Sequence, residues 1–387
     1  MLRVNVHNRV LLLLVALQLL ALGLLPLLSY APNRLVSGQP LALWSLLSGV
    51  NWLLLLPLAL LLVLAFLRPQ PVTLLLVVAL SELLLTLLVA LSGHQAALLA
   101  QQGSPLARTA FGSGLWLAGA LCLLMAADAL ARLVRRPLWR LLLNAQMWLP
   151  VVALLLLGQL DQLALIREYS NRQEVFDQAL ARHLLLLGGT LLPAAIIGLP
   201  LGVLCYRQPR LQATVFTLLN IIQTIPSVAL FGLLIAPLAG LASAFPALGR
   251  LGISGIGVAP ALIALVLYAL LPLVRSVVAG LQQVPAGVME TARGMGMTRL
   301  QVFCHAEAPL ALPVILSGMR VVAVQTVGMA VVAALIGAGG FGAIIFQGLL
   351  SSALELVLLG VIPVIVLAVT VDALFKFVIS LLEVGGS

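Results

Sequence analysis

Long apolar runs recur along the chain, beginning near Val10, Leu41, Pro71, Phe111, Leu141, Leu184, Ala213, Val258, Val314 and Leu354. Each approaches the roughly 20 residues that a helix needs to cross a bilayer. A water-soluble core could not absorb them. Of the 387 residues 63% are hydrophobic and 8% charged, whereas a soluble domain carries about a quarter charged residues. The expected fold class is therefore all-α, a polytopic membrane protein of about ten transmembrane helices.

Charge then orients the spans. The net charge of +9 comes from arginine, with Lys376 the only lysine. In a soluble chain such an excess would suggest nucleic acid, but here it marks cytoplasmic loops, and no nucleic-acid partner is expected. A cytoplasmic N-terminus puts Arg3, Arg9, Arg68, Arg132, Arg135, Arg136, Arg140, Arg207, Arg210, Arg275, Arg293, Arg299, Arg320 and Lys376 at inner ends. Only Arg34, Arg108, Arg167, Arg172, Arg182 and Arg250 then lie outside. That asymmetry follows the positive-inside rule and predicts both termini in the cytoplasm. Ser29-Tyr30-Ala31 resembles a small-residue cleavage site, but the apolar run from Val10 to Leu28 is longer than a usual signal core, so the first helix is expected to be retained. Cys122, Cys205 and Cys304 lie far apart without metal-ligand spacing and are read as small apolar residues.

The longest mixed-charge stretch, Asp161 to Arg182, divides the chain. Residues 1–160 form a leucine-rich region of about five helices, 161–182 an exposed connector on the outer side, whose charges of alternating sign could also form an amphipathic or solvated helix, and 183–380 a second region of about five helices. The second region carries the Gly, Pro, Asn, Gln and Thr residues that membrane helices keep where backbone or side chain has a task.

Gln282 to Pro313 is too polar for hydrocarbon and too patterned for a plain loop. Pro285 suits the first turn of a short helix, and Gly294 and Gly296 can take the left-handed conformation that ends it. Thr298 with Gln301 forms a capping box for a second helix, which Pro309 is expected to stop. Helix, glycine turn and helix make a compact knob, a handle for another protein.

Here the sequence resembles the permeases of binding-protein-dependent ABC importers, whose cytoplasmic loop reads Glu-Ala-Ala, three residues, Gly, nine residues, Ile-x-Leu-Pro. This chain has Glu290-Thr291-Ala292, Gly296 and Ala306-Glu307-Ala308-Pro309. Glu290, Ala292, Gly296 and Pro309 match, while Thr291, Ala306 and Ala308 depart from the pattern. The resemblance runs from about His183 to Phe346. Its texture, in Gly198-Leu199-Pro200-Leu201-Gly202, Ile222-Gln223-Thr224-Ile225-Pro226-Ser227, Leu267-Tyr268-Ala269-Leu270-Leu271-Pro272, Ala292-Arg293-Gly294-Met295-Gly296-Met297 and Ile336-Gly337-Ala338-Gly339-Gly340-Phe341-Gly342, looks like the osmoprotectant branch, which imports glycine betaine, choline, carnitine and similar compounds. The leucine-rich first half resembles the extended N-terminus of a long-form type.

The resemblance implies a type I importer permease core whose knob couples to an ATPase, with Glu290 and Gly296 in the main roles. Ala292, Gly294 and Pro309 belong to the same loop, and Arg293 and Arg299 support it. It also implies two permease subunits, two cytoplasmic ABC ATPase subunits and an extracytoplasmic solute-binding protein, in the bacterial inner membrane. No cofactor is expected in this chain: a P-loop needs a lysine before Ser or Thr, and Lys376 is followed by Phe377. ATP and Mg belong to the partner.

A path for a zwitterion needs dipoles that replace water without a fixed charge that would trap the solute. Asn220, Gln223, Thr224, Pro226 and Ser227 interrupt an apolar helix, and Pro226 frees a carbonyl that only a cavity or a neighbouring helix can satisfy. Gln325 and Thr326 interrupt another, and Tyr268 could offer a ring face to a quaternary ammonium. The alternative for these groups is that they bind helix to helix.

Among intramembrane charges, Asp128 with Arg132 and Asp372 with Lys376 are pairs four apart. Glu82, midway along the third run, has no sequence-local partner. It is read first as protonated, next as meeting a polar group across the N-terminal half, and last as a proton sensor. His7, His94, His183 and His305 show no metal spacing, and no enzymatic constellation is present. Two rivals remain: an ion-coupled carrier using Glu82, which leaves the knob unexplained, and a membrane scaffold or sensor, which leaves the Gly and Pro interruptions unexplained.

Overall fold

The computed structural model describes residues 6–33, 36–103, 106–250 and 253–384; Arg3 and Arg34 of the charge pattern lie outside them. The chain divides into two compact units, Met1–Asn171 and Arg172–Ser387.

In the first unit, α1 (Arg9–Leu24) opens at Asn8, whose side chain accepts the Leu11 N–H, and Pro26 follows it as the first residue of a strand. Three short strands, β1 (Pro26–Ala31), β2 (Gln39–Ala42) and β3 (Arg108–Phe111), pair antiparallel in the order β2-β1-β3, with Leu28 opposite both Leu41 and Phe111. An all-helical expectation does not anticipate this sheet. It gathers the backbone groups of the segments after α1 and before α5 into one ladder, and Ser29-Tyr30-Ala31 lies within β1. The chain continues through α2 (Leu43–Leu46), a 3-10 turn at Gly49–Leu54, α3 (Leu55–Leu64), α4 (Pro71–Gln102), α5 (Ser113–Leu133), α6 (Pro137–Gln146), α7 (Leu149–Leu156) and α8 (Ala164–Asn171). Proline stands in the first turn of α4, α6 and α7, where its missing N–H leaves no helical bond unmade. Leucines dominate the core, with Leu27, Leu28, Leu43, Leu61, Leu84 and Leu88 fully enclosed.

In the second unit come α9 (Gln173–Arg207), α10 (Pro209–Thr224), α11 (Ser227–Ala244), α12 (Pro246–Arg250), α13 (Val258–Gln282), α14 (Ala286–Gly294), α15 (Arg299–Val302), α16 (Ala308–Val332), α17 (Phe341–Leu350) and α18 (Leu354–Val384). Helix α13 is central, packed on α9 and α16. Gly202 lets α9 and α13 approach closely, since a β-carbon there would lie 2.5 Å from the Val277 β-carbon; small residues admit such contacts between membrane helices.

Among the described residues eight helices are long and apolar enough to span a bilayer, rather than about ten. The runs from Val10 and Leu41 fall short because Pro26 turns the chain into strand after a 16-residue helix, and the second run is spent on β2, α2 and the 3-10 turn before the 10-residue α3. The run from Ala213 breaks at Pro226 into α10 and α11. The connector expected at 161–182 is mostly helical, forming α8 and the first turns of α9. Two of its charges meet partners 60 residues earlier: Glu168, 1% exposed, pairs with Arg108 at 3.1 Å, and Arg167 donates to the Ala107 carbonyl.

Candidate functional site

The knob forms between α13 and α16. Pro285 caps α14 from outside the helix, one residue before the position expected for it. At the far end Gly296 has φ of +83°, while Gly294 is the last helical residue, so only one of the two glycines takes the left-handed conformation. Met297 N–H bonds to the Ala292 carbonyl and Gly296 N–H to that of Arg293, the paired bonds of a Schellman turn. Thr298 and Gln301 then cap α15 reciprocally. Two sets of closed hydrogen bonds on either side of one glycine make the bend stiff.

Ala292 is buried in the knob, whereas Glu290, Arg293 and Arg299 are exposed and form no ion pair among the described residues. Met295 and Leu300, 67% and 72% exposed, stand beside those charges. An open depression of about 410 Å³ is lined by Val288, Thr291, Ala292, Met295, Met297 and His305, among others. A stiff body with unpaired charges, exposed apolar side chains and a concave face is suited to docking on another protein.

Pro309 does not end the second helix. Phe303–Glu307 is a π turn in which the Ala308 N–H reaches back five residues to the Phe303 carbonyl, and Pro309 follows in the first turn of α16. The missing proline N–H thus falls where the helix re-enters its regular bonding, and the apolar helix continues from Arg299 to Ile336. Cys304, on this turn, is exposed, while Cys122 and Cys205 are buried.

The π turn also places a residue that sequence reasoning passed over. Glu307 is 1% exposed, and its carboxylate accepts a 2.5 Å hydrogen bond from Arg207 at the end of α9. The guanidinium carbon lies 5.5 Å from the centre of the Tyr206 ring and 5.8 Å from that of Phe303. Removing one partner of a fully buried pair costs about 3–5 kcal/mol; here the 44% exposure of the Arg207 side chain lowers that figure. The available signal was an acid with no basic residue three or four positions away, in a loop otherwise followed by apolar helix.

Along the expected path, the break between α10 and α11 is satisfied by α13. The Ile222 carbonyl accepts the Ile225 N–H, and the Tyr268 hydroxyl donates to the Ile225 carbonyl. Gln223 donates to the Tyr268 carbonyl at 2.8 Å. Pro226 caps α11 and Ser227 begins it. Tyr268 is 5% exposed within a cluster containing Phe231, Leu265 and Ala330, so its ring presents no free face in this conformation. The exposed side chain of Asn220 accepts from Arg275 at 2.8 Å, which also lies over Phe216, and Thr224 bonds within its own helix. Arg275, read from sequence only as a marker of orientation, thus joins this group. Gln325 and Thr326 do not: Gln325 is exposed and contacts Met329, and Thr326 is buried with its hydroxyl on the Val322 carbonyl.

In the first unit Glu82 accepts a 2.8 Å hydrogen bond from Gln146, a polar group across the N-terminal half. The other pairs form as spaced, Arg132 with Asp128 at 3.0 Å and Lys376 with Asp372 at 2.6 Å, with Arg320 joining Asp372 at 3.6 Å. Among the described residues no group of three His, Cys, Asp or Glu could hold a metal ion.

Comparison with known proteins finds two separate matches along the chain. Residues 7–166 match the family described as ABC transporter permease YehY, N-terminal domain, and residues 194–383 match the binding-protein-dependent transport system inner membrane component. The osmoprotectant import permease protein OsmW of Salmonella typhimurium (strain LT2) is 41% identical over 191 residues, 49% of this chain and 84% of that protein. The glycine betaine/carnitine/choline transport system permease protein OpuCD of Bacillus subtilis (strain 168) is 35% identical over 205 residues, 53% of this chain and 82% of that one. Among solved structures, a chain of the inward-facing MetNI methionine ABC transporter is 23% identical, with a TM-score of 0.47 over 55% of this chain and 98% of that chain.

Proposed function

The chain belongs to the inner membrane components of binding-protein-dependent transport systems, and from that premise we propose that it carries osmoprotectant solutes, glycine betaine or related quaternary amines, in an ATP-driven importer. It is a multi-pass permease subunit and not the ATPase. The substrate class is supported by relatives named for osmoprotectants and for glycine betaine, carnitine and choline.

In this reading two permease subunits, identical or paralogous, each dock a cytoplasmic ABC ATPase subunit that holds ATP and Mg, and an extracytoplasmic binding protein delivers the solute. The observation that carries it is the stiff bend at Gly296, flanked by the exposed Glu290, Arg293 and Arg299. A groove on the ATPase that closes with ATP displaces the bend as one body. The helical run from Arg299 to Ile336, which includes the π turn, takes up that displacement, which is how a local movement becomes a tilt of membrane helices. Asn220, Gln223 and Thr224 then offer dipoles to a solute near the α10–α11 break, with Arg275 held on Asn220, while Tyr268 holds the break together. With the bend in the cytoplasm, α9, α13 and α18 run inward and both termini lie inside.

The test is uptake of labelled glycine betaine, choline, carnitine and proline into vesicles holding the permease, its ATPase and its binding protein. ATP-dependent uptake of a quaternary amine supports the proposal. Uptake that persists without ATP and depends on Glu82 would favour an ion-coupled carrier instead.

A further inference from the structure

The knob is joined to the bundle through the backbone at both ends, by α13 and by α16. A third attachment is the side-chain contact between Glu307 and Arg207, 100 residues apart. It stands at the junction where the π turn sets the phase of the chain: one extra residue in a turn rotates the next helical segment by about 100° relative to a continuous α-helix. Glu307 closes that turn and is the buried acid of the knob's base. An apolar cluster joins Leu199, Val203 and Tyr206 of α9 with Val277, Leu281 and Phe303.

Resting on the coupling role proposed above, we infer that the Arg207–Glu307 pair is the positioning contact that hands displacement of the knob to α9. The backbone connections alone move α13 and α16. Helix α9 is separated from the knob by about eighty residues of chain, so it follows only if something at their contact resists sliding. Apolar packing slides at small cost, whereas separating a carboxylate from its only charged partner among the described residues leaves a charge without compensation. The two rings near Arg207 limit the positions its guanidinium can take. Glu307 itself touches no solute and, being buried, offers no surface to the ATPase.

The experiment compares the wild type with Glu307→Gln, Arg207→Gln, Arg207→Lys and the exchange Arg207→Glu with Glu307→Arg, each as the full chain assembled with its ATPase in vesicles. Three quantities are read: ATPase retained on purification, ATP hydrolysed, and the labelled solute that the wild type imports. In Glu307→Gln and Arg207→Gln the ATPase is expected to be retained while solute moved per ATP falls by about 5- to 150-fold, the range of a site-to-site coupling. Arg207→Lys, which keeps the charge, and the exchange are expected to recover part of the loss. A neutralised variant that assembles and moves as much solute per ATP as the wild type overturns the inference, as does loss of ATPase binding in step with uptake across all variants. Should Glu307→Gln not assemble, the contrast of Arg207→Gln with Arg207→Lys at the more exposed partner decides in the same way. A wild type with no ATP-driven uptake would instead sink the transport proposal.

Discussion

The hydroxyl of Tyr268 on α13 donates its hydrogen bond to the carbonyl of Ile225, the residue at the break between α10 and α11. In hydrocarbon that carbonyl would otherwise lack a partner. Tyr268→Phe is expected to destabilise the second unit by about 0.6–2 kcal/mol, the range for hydrogen bonds between membrane helices, with uptake reduced in proportion to the folded protein. Denaturation in mixed micelles checks it. A change in solute preference with unchanged stability would mean that the hydroxyl acts on the solute and not on the carbonyl.

The two glycines of the knob should respond in opposite directions. Gly296 has φ of +83° and open space around a notional β-carbon, so the cost of Gly296→Ala lies in the backbone, about 1–2 kcal/mol, and ATPase retention is expected to fall. Gly294 is helical with equal space, so Gly294→Ala is expected to stabilise α14 by about 0.5–1 kcal/mol and keep the ATPase. Co-purification of both variants gives the answer, and equal losses would rule out this division of roles.

Glu290 is exposed and unpaired among the described residues. Reversing its charge in Glu290→Lys is expected to leave stability within about 0.5 kcal/mol while abolishing retention of the ATPase. If the ATPase still co-purifies at wild-type yield, Glu290 is not a docking residue.

Glu82 meets Gln146, and ATP-driven import needs no proton from it. Glu82→Gln is expected to retain ATP-dependent uptake, because an amide can still exchange a hydrogen bond with Gln146. Glu82→Leu is expected to destabilise the first unit by about 1–3 kcal/mol, by leaving a half-buried amide without that partner. Uptake abolished in Glu82→Gln, with protein levels unchanged, would reopen the ion-coupled alternative.

Every matched motif lies after the mixed-charge stretch, so sequence alone suggests that a chain beginning near Arg182 still binds the ATPase. The second unit instead begins at Arg172, and Phe176 packs on Phe341 with ring centres 5.3 Å apart. A chain beginning at Arg172 is therefore expected to insert and retain the ATPase, and one beginning at Arg182 to do so in lower yield. Matched membrane fractions of the two chains measure this.

Much of the molecule was determined by local chemistry. The apolar runs called for membrane helices, and Thr298 with Gln301, after a glycine at 294 or 296, write a capped helix and a sharp turn into adjacent residues, so the knob was readable in outline from its own segment, while the structure chose Gly296 and carried the helix past Pro309. Features that depended on distant partners were not. The sheet at Leu28 needs strands more than 80 residues apart to meet, and the span count fell because the runs from Val10 and Leu41 were drawn into that sheet and the 3-10 turn after it. Whether Tyr268 faced a path or a carbonyl turned on how α13 packs against α10. The same holds for Arg207 and Glu307: a buried charge in sequence announces that it has a partner, and only the packing of α9 against the base of the knob decides which one.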